Sequence, residues 1–196
     1  MDHHPGPDDL LFLPLGGAGE IGMNLTLYGH AGRWLMVDLG VTFGDETTPG
    51  IEVIMPDPRF IAERRSDLVG LVLTHAHEDH LGAVPYLWPR LECPVWATPF
   101  TAAVLRRKLH EAGLAERVPI IEVPMSGRFQ AGPFQIELVT LTHSIPEPNA
   151  LVIRTAAGTV LHSGDWKFDP DPLIGATADF EALHRLGGEG VLALIR

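Results

Sequence analysis

The sequence predicts an α/β fold. Apolar, β-prone segments alternate with helix-type segments along most of the 196 residues. Several predicted strands are followed at once by histidine or aspartate, most clearly where residues 68–74 lead into the polar run at residues 75–80. Hydrophobic residues make up 45% of the chain, which is enough for one domain with a sizeable core. We therefore expect one folded unit with polar side chains gathered where its strands end.

Composition narrows the classes of function. The longest apolar runs are far shorter than the roughly 20 residues that span a bilayer, and the start of the chain lacks the apolar core of a signal peptide. We expect a cytoplasmic protein with no membrane segment. Cys93 is the only cysteine, so we expect a structural thiol and no disulfide framework. The formal net charge of −11 argues against a broadly basic surface for nucleic acid, although it does not exclude phosphate groups.

The first forty residues predict a tail followed by three strands. Residues 1–9 are polar and proline-rich, and we expect a disordered tail in which His3 and His4 are not ligands. Residues 10–15 form the first strand and lead into Gly17-x-Gly19-x-x-Gly22, which has the spacing of a dinucleotide-binding turn. Such a turn must open a helix, whereas here the β-prone residues 24–28 follow, then a turn and a strand at residues 33–38. The glycines therefore indicate a hairpin, which disfavours a nucleotide cofactor.

Asp38 ends the third predicted strand, and we expect its carboxylate to orient metal ligands from behind. Residues 42–58 are rich in Gly, Pro and acids and predict a long loop near the site, followed by a short helix at residues 59–67 and a strand at 68–74. Another helix is indicated at residues 81–87.

The run between that strand and that helix is the main candidate site. It places three imidazoles and one carboxylate within six residues, and each is a good ligand for a borderline cation such as Zn²⁺: His75, His77, Asp79 and His80. In an extended loop, side chains two positions apart point the same way, so His75 and His77 can hold one ion. Asp79 and His80, at the turn into the helix, then face a second ion.

The second half of the chain adds two more candidate ligands. Strands are predicted at residues 94–97, 120–123 and 133–142, and a hairpin at residues 151–162. Thr98 and Pro99 predict the start of a helix to about residue 113, with an apolar face made of Ala102, Leu105, Leu109 and Ala112. The cations of that helix predict a solvated face, with a phosphate-contacting patch as the alternative: Arg106, Arg107, Lys108 and His110.

His143 and Asp165 each follow a predicted strand, as the histidine run does. If neighbouring strands deliver these side chains to one edge, Asp165 can bridge two cations. We expect His162, which lies just before Asp165, to be structural. The chain closes with a helix near residues 178–186, a glycine turn and a buried-type strand at residues 191–196.

These residues together resemble the metallo-β-lactamase superfamily: His75-x-His77-x-Asp79-His80, then His143, then Asp165, with Asp38 ahead of them. Within it, residues 16–24, 73–87, 142–146 and 164–169 are similar to the ribonuclease J family of β-CASP nucleases. The resemblance covers residues 10–196.

The resemblance implies an αββα sandwich with a two-metal site between the sheet edges. By position, one zinc would be held by His75, His77 and His143, and the other by Asp79, His80 and Asp165, with Asp165 bridging. Asp79, His80 and Asp165 are the residues to which we assign a catalytic role, and manganese is the alternative metal.

The implied activity is hydrolysis of RNA, from the 5′ end and internally, in RNA turnover and rRNA maturation. Two cations would lower the pKa of a shared water, giving a hydroxide that attacks phosphorus.

We also expect a truncated domain, because residues 191–196 stop in mid-strand. Residues 10–196 would be the N-terminal part of a metallo-β-lactamase domain, with a further histidine ligand and the RNA-clamping β-CASP domain in later segments. The full-length protein would be a homo-oligomer. Two alternatives stay open: a metal-dependent hydrolase of thioesters or lactams, and a catalytically silent metal-binding subunit.

Overall fold

The computed structural model describes residues 4–196 and contains thirteen strands and five α-helices within them. The strands are β1 (Leu11–Gly16), β2 (Leu25–His30), β3 (Arg33–Val37), β4 (Thr42–Phe43), β5 (Val53–Ile54), β6 (Leu68–Val72), β7 (Val95–Ala97), β8 (Ile120–Glu122), β9 (Arg128–Ala131), β10 (Phe134–Thr140), β11 (Asn149–Thr155), β12 (Gly158–His162) and β13 (Ala193–Ile195). The helices are α1 (Arg59–Ala62), α2 (Glu78–Leu81), α3 (Val84–Leu87), α4 (Pro99–Glu111) and α5 (Phe180–Glu189), and a 3₁₀ turn follows α3 at Trp88–Arg90.

Eleven of the strands form two sheets. The first has six strands in the order β1-β2-β3-β6-β7-β8. Its β1, β2 and β3 are antiparallel, as the predicted hairpin requires, and β3, β6, β7 and β8 are parallel. The second has five strands in the order β13-β12-β11-β10-β9, all antiparallel except the β12–β13 pair. Strands β4 and β5 pair only with each other.

The two sheets pack face to face. The core between them takes Tyr28, Leu35 and Val72 from the first sheet, and it takes Phe134 and Leu151 from the second. Side chains alternate along each strand, so the opposite faces of both sheets also carry apolar residues that must be covered.

Helices cover both outer faces. On the first sheet, α2, α3 and α4 bury Leu81, Val84 and Leu105 against the strands. On the second sheet, α5 packs Leu186 against the outer side of β10 and β11. The layers are therefore helix, sheet, sheet, helix, which confirms the predicted αββα sandwich.

A cluster of ion pairs around the buried Glu137 fastens α5 to the second sheet. Glu137, on the outer face of β10, accepts hydrogen bonds from Arg128 (2.8 Å), Arg154 (2.6 Å) and Arg185 (2.5 Å). Burial alone would raise the pKa of Glu137, but the hydrogen bonds from Arg128 and Arg154 and the nearby charge of Arg185 hold that pKa below its usual value.

The N-terminal segment differs from the expected tail. His3 lies outside the described residues, but residues 5–9 contact the β2–β3 turn. The carbonyls of Pro5 and Gly6 accept hydrogen bonds from the backbone of that turn, and Asp9 O lies 2.7 Å from His30 Nδ1. These partners hold a segment whose composition alone predicts disorder.

Helix boundaries also differ from the sequence prediction. The helix expected at residues 81–87 begins at Glu78 and is interrupted, because the Ala83 N–H donates to Leu39 O (3.0 Å) instead of continuing the helical ladder. Ala112 is exposed and not part of the buried face, since α4 ends at Glu111 and Leu114 fills the core instead.

Other predicted elements are adjusted in length. Helix α1 ends at Ala62, five residues earlier than expected, and α5 continues through the predicted glycine turn to Glu189. The expected loop at residues 42–58 contains the short β4–β5 hairpin, and β9 was not predicted.

Candidate metal centre

The candidate ligands come from both sheets and meet at one edge of the sandwich. In the first sheet, β6 ends just before His75, and the loop into α2 carries His77, Asp79 and His80. In the second sheet, the loop between β10 and β11 carries His143, and Asp165 follows β12. Parallel β3 and β6 end side by side, which brings Asp38 next to this loop.

One group consists of the imidazoles of His75, His77 and His143. One ring nitrogen from each lies within 4.8 Å of the others. His75 Nε2 and His77 Nδ1 are 3.1 Å apart. Two nitrogen ligands of a tetrahedral zinc, each about 2.0–2.1 Å from the metal, lie about 3.3 Å apart, so this pair fits a single ion. The three rings stand nearly perpendicular to one another, with interplanar angles of 76° to 87°.

A second group consists of His75, His80 and Asp165, whose ligand atoms also lie within 4.8 Å of one another. Asp165 Oδ1 is 3.5 Å from His80 Nε2, and Asp165 Oδ2 is 3.8 Å from His143 Nε2. The carboxylate thus faces both groups, one oxygen toward each. Asp79 Oδ2 lies 3.6 Å from His80 Nε2, on the side of the second group.

Asp38 and Thr74 determine which ring nitrogens are available to a metal. The buried Asp38 carboxylate accepts hydrogen bonds from the Thr74 N–H (2.8 Å) and the Thr74 hydroxyl (2.8 Å). It also lies 2.7 Å from His80 Nδ1, and because a carboxylate only accepts, this nitrogen carries the proton. The Thr74 hydroxyl proton is already donated, so its oxygen accepts from His75 Nδ1 (3.0 Å). Both rings therefore direct Nε2 into the centre.

The pKa values of the site follow from burial and charge. Burial lowers the pKa of His75 to about 3, and it lowers that of His143, so both imidazoles are neutral. Burial is the strongest single influence on His80 and opposes its charge, but the charge of Asp38 and the hydrogen bonds with Asp165 and Asp38 together outweigh it and raise the pKa of His80 to about 10. The hydrogen bond with His80 lowers the pKa of Asp165 to about 2. A cation bound at His80 would take the place of the proton that His80 carries.

Sequence reasoning missed two residues of this centre. Thr74 was assigned only to a strand, although it connects Asp38 to His75. Asn24, in the β1–β2 connection, donates to Asp79 O (3.0 Å) and its amide nitrogen lies 3.2 Å from His80 Nε2. Both residues lie in segments that resemble the ribonuclease J family, residues 16–24 and 73–87, but their roles depend on partners far away in the sequence.

Other candidate residues lie outside the centre. His162 Nδ1 is 2.9 Å from the hydroxyl of the buried Tyr28, the kind of contact expected of a structural histidine. Cys93 is buried, and burial raises the pKa of its thiol to about 12. The α4 cations Arg106, Arg107 and Lys108 each pair with a carboxylate, which favours the solvated face over a phosphate patch.

Several known proteins resemble this chain in fold or in sequence. A family model described as "Metallo-beta-lactamase superfamily" matches residues 19–192. Solved structures with the fold include the metallo-beta-lactamase fold protein YhfI from Bacillus subtilis (TM-score 0.58, 16% identity, 81% of this chain and 63% of that one). Zn(2+)-bound PqqB from Methylobacterium extorquens is another (TM-score 0.55, 13% identity, 73% of this chain and 52% of that one).

Curated relatives support the narrower resemblance. Ribonuclease J of Sinorhizobium meliloti is 49% identical over 199 residues, which cover 98% of this chain and 35% of the relative. Ribonuclease J of Thermus thermophilus is 38% identical, covering 97% of this chain and 35% of the relative. The chain thus spans about a third of the length of these relatives, and its predicted resemblance to ribonuclease J is confirmed.

Within residues 4–196, no helix has the length and apolar character needed to cross a membrane. The family match and the αββα layers indicate the same superfamily, and the histidine cluster lies at the edge between the two sheets. The match over residues 19–192 shows that this chain belongs to the metallo-β-lactamase superfamily.

Proposed function

We propose that this chain is the metal-binding part of a metal-dependent ribonuclease that hydrolyses phosphodiester bonds. The observation that carries the proposal is the position of Asp165, with one carboxylate oxygen toward His80 and the other toward His143. A carboxylate between two ligand groups is typical of centres that hold two cations. The similarity to ribonucleases J supports RNA as the substrate.

The donor atoms fit two divalent ions. One would be held by His75, His77 and His143, and the other by Asp79, His80 and Asp165, with Asp165 bridging them. Imidazole nitrogens and carboxylate oxygens, with one carboxylate shared, suit zinc, and manganese is the alternative. When bound, such ions supply positive charge for the phosphoryl oxygens and lower the pKa of water.

The remaining contributions come from the chain itself. Asp38 keeps a proton on Nδ1 of His80, and Thr74 keeps one on Nδ1 of His75. In both rings, Nε2 therefore faces the metal centre. Asp38, Thr74 and the two histidines are all buried. Both rings are held in fixed positions, because a buried hydrogen-bonded network leaves few alternative arrangements. Asp165 is about half exposed, so the open side of the centre lies at this residue.

Finer parts of the proposal follow from the family resemblance. They are cleavage from the 5′ end and internally, a role in RNA turnover and rRNA maturation, a cytoplasmic location and a homo-oligomeric full-length protein. Hydrolysis of thioesters or lactams, the alternative enzyme, gains no support from relatives at 38% to 49% identity that are ribonucleases J.

Metal analysis combined with two hydrolysis assays tests the proposal. We expect about two zinc or manganese ions per chain, cleavage of 5′-monophosphorylated RNA, and slower hydrolysis of bis(p-nitrophenyl) phosphate, which needs only the metal centre. His77→Ala should lose metal and both activities. His110→Ala, an exposed histidine on α4, should keep them.

Two results would count against the proposal. A chain that binds two ions but hydrolyses neither substrate would favour the silent metal-binding subunit. Full activity of His77→Ala would show that the histidine centre is not the site of hydrolysis.

A further inference from the structure

The candidate centre depends on how two sheets are held together. His75 and His77 follow β6 of the first sheet, whereas His143 lies in the β10–β11 loop of the second sheet. Three ligands of one ion must keep their donor atoms within a few tenths of an ångström of the required positions. Some contact must therefore fix the His143 loop relative to the first sheet.

Glu147 makes such a contact. It lies four residues after His143, and its Oε2 accepts a hydrogen bond of 2.8 Å from the backbone N–H of Phe100. Phe100 is in the first turn of α4, a helix of thirteen residues that packs on the first sheet. The side chain thus crosses from the loop of one sheet to a helix of the other.

The N-terminus of α4 is suited to this carboxylate. The first N–H groups of a helix have no partner within the helix and carry partial positive charge. Thr98 occupies the capping position but makes no capping bond, and its hydroxyl donates to the Thr101 hydroxyl (3.2 Å). The partner that the first turn obtains from a side chain is therefore Glu147.

The loop around Glu147 is closed on itself. Glu147 adopts a φ of +56°, which is unfavourable for a residue with a side chain. Its carbonyl accepts from Asn149 Nδ2 (2.7 Å), and the Leu141 N–H donates to Pro148 O (3.0 Å). The Asn149 N–H donates to Thr74 O (3.1 Å), directly before His75. A strained conformation that is held by several partners is typical of a functional position.

We propose that Glu147 is a positioning residue, which fixes His143 relative to His75 and His77 by fastening its loop to α4. This inference rests on the proposed function, because it concerns the ion that these three histidines would hold. A carboxylate that only capped α4 would contribute to the stability of the fold but not to metal affinity.

Zinc affinity of the purified chain separates these two roles. Affinity is measured by competition with a chromophoric chelator. Co²⁺ absorption reports the ligand geometry of the first ion, the one that His75, His77 and His143 would hold. Glu147→Ala should weaken binding of the first ion about 10- to 100-fold, the range typical of residues that orient metal ligands. Glu147→Gln should restore most of this loss, because its amide oxygen can still accept from the Phe100 N–H.

Asp179→Ala is the matched control. Asp179 caps α5 by accepting from the Ala182 N–H (2.9 Å), so its loss also removes a carboxylate from a helix N-terminus. We expect both alanine variants to lower the melting temperature, whereas Asp179→Ala should keep wild-type zinc affinity and the wild-type Co²⁺ spectrum. Folding of each variant is checked by circular dichroism without metal.

The outcomes distinguish this inference from the proposed function. If the wild-type chain binds zinc and Glu147→Ala binds it equally well, the positioning role is refuted while the proposed function stands. If Glu147→Ala does not fold, Glu147→Asp takes its place, because its shorter side chain moves the carboxylate away from the Phe100 N–H. Wild-type zinc affinity and a wild-type Co²⁺ spectrum in Glu147→Asp would then refute the positioning role. A wild-type chain that binds no divalent metal would overturn both.

Discussion

Replacing Asp38 by asparagine changes one oxygen of a buried carboxylate into a donor. Asp38 accepts from the Thr74 N–H at one oxygen, and an amide oxygen can keep that bond. The NH₂ group would then face His80 Nδ1 and the Thr74 hydroxyl, where Oδ2 now accepts. The Thr74 hydroxyl would turn to donate to His75 Nδ1. His75 would therefore move its proton to Nε2, whereas His80 would release the proton on Nδ1 and keep the one on Nε2, the nitrogen that faces the centre.

The expected losses can be worked out from these contacts. Residues that orient metal ligands typically contribute 10- to 100-fold in affinity, or about 1.4–2.7 kcal/mol. The exchange of donor and acceptor roles affects His80 directly and His75 through Thr74, so we expect the upper end of that range, about 100-fold. Stability should also fall, by at most about 3–5 kcal/mol, the cost of removing one partner of a buried ion pair. We expect the cost to be smaller than this, because His80 can release its proton.

Zinc titration of Asp38→Asn, with ¹⁵N NMR of the imidazole rings to identify which nitrogen is protonated, tests this reasoning. Asp57→Asn is the control. Asp57 is an exposed carboxylate that accepts from Arg59, so this variant should keep wild-type zinc affinity and the wild-type protonation of the imidazole rings. Wild-type zinc affinity in Asp38→Asn, or a proton retained on Nδ1 of His75 and His80, would refute the proposed role of the network.

Two further predictions concern stability. The lowered pKa of Glu137 means that its carboxylate stabilises the fold above the pKa of an unfolded glutamate and loses this contribution as pH falls through the lowered value. Glu137→Gln should therefore unfold more easily at pH 7 but flatten the acid limb of a melting-temperature profile, and parallel profiles would contradict this. In Gly40→Ala, the new Cβ would clash with the backbone oxygen of Asp79, so we expect loss of folding or of zinc binding. Gly187→Ala meets no atom within 4 Å and should be neutral or stabilising in the same melting assay.

The sequence predicted the parts of this protein that depend on short-range patterns. The strand before the histidine run, the hairpin after the glycines and the layered α/β class all follow from periodicity and turn residues. The meeting of His143 and Asp165 with the first cluster could also be expected, because each follows a strand. The assignment of individual ligands to individual ions stays a prediction.

The remaining features depend on partners far apart in the chain. Thr74 acquires its role from Asp38, thirty-six residues earlier, and Asn24 from the loop at Asp79. Strands as short as β4 and β9 have little intrinsic preference and form because a neighbouring strand pairs with them. The contact made by Glu147 could not be predicted for the same reason, since its partner is a backbone N–H on another element.

Metal binding and packing of the two sheets must be coupled in this architecture. Each ligand group contains side chains from both sheets, so an ion held by either group can bind fully only when the sheets are in their native positions. A ligand that binds only the folded state stabilises it by about 2.7 kcal/mol at a free concentration 100 times its Kd. The same linkage acts in reverse, because a contact that fixes the sheets before the ion arrives lowers the free energy needed to assemble the site. The contacts from Glu147 to α4 and from Asn149 to Thr74 act in this way, since both join the two sheets beside the ligands.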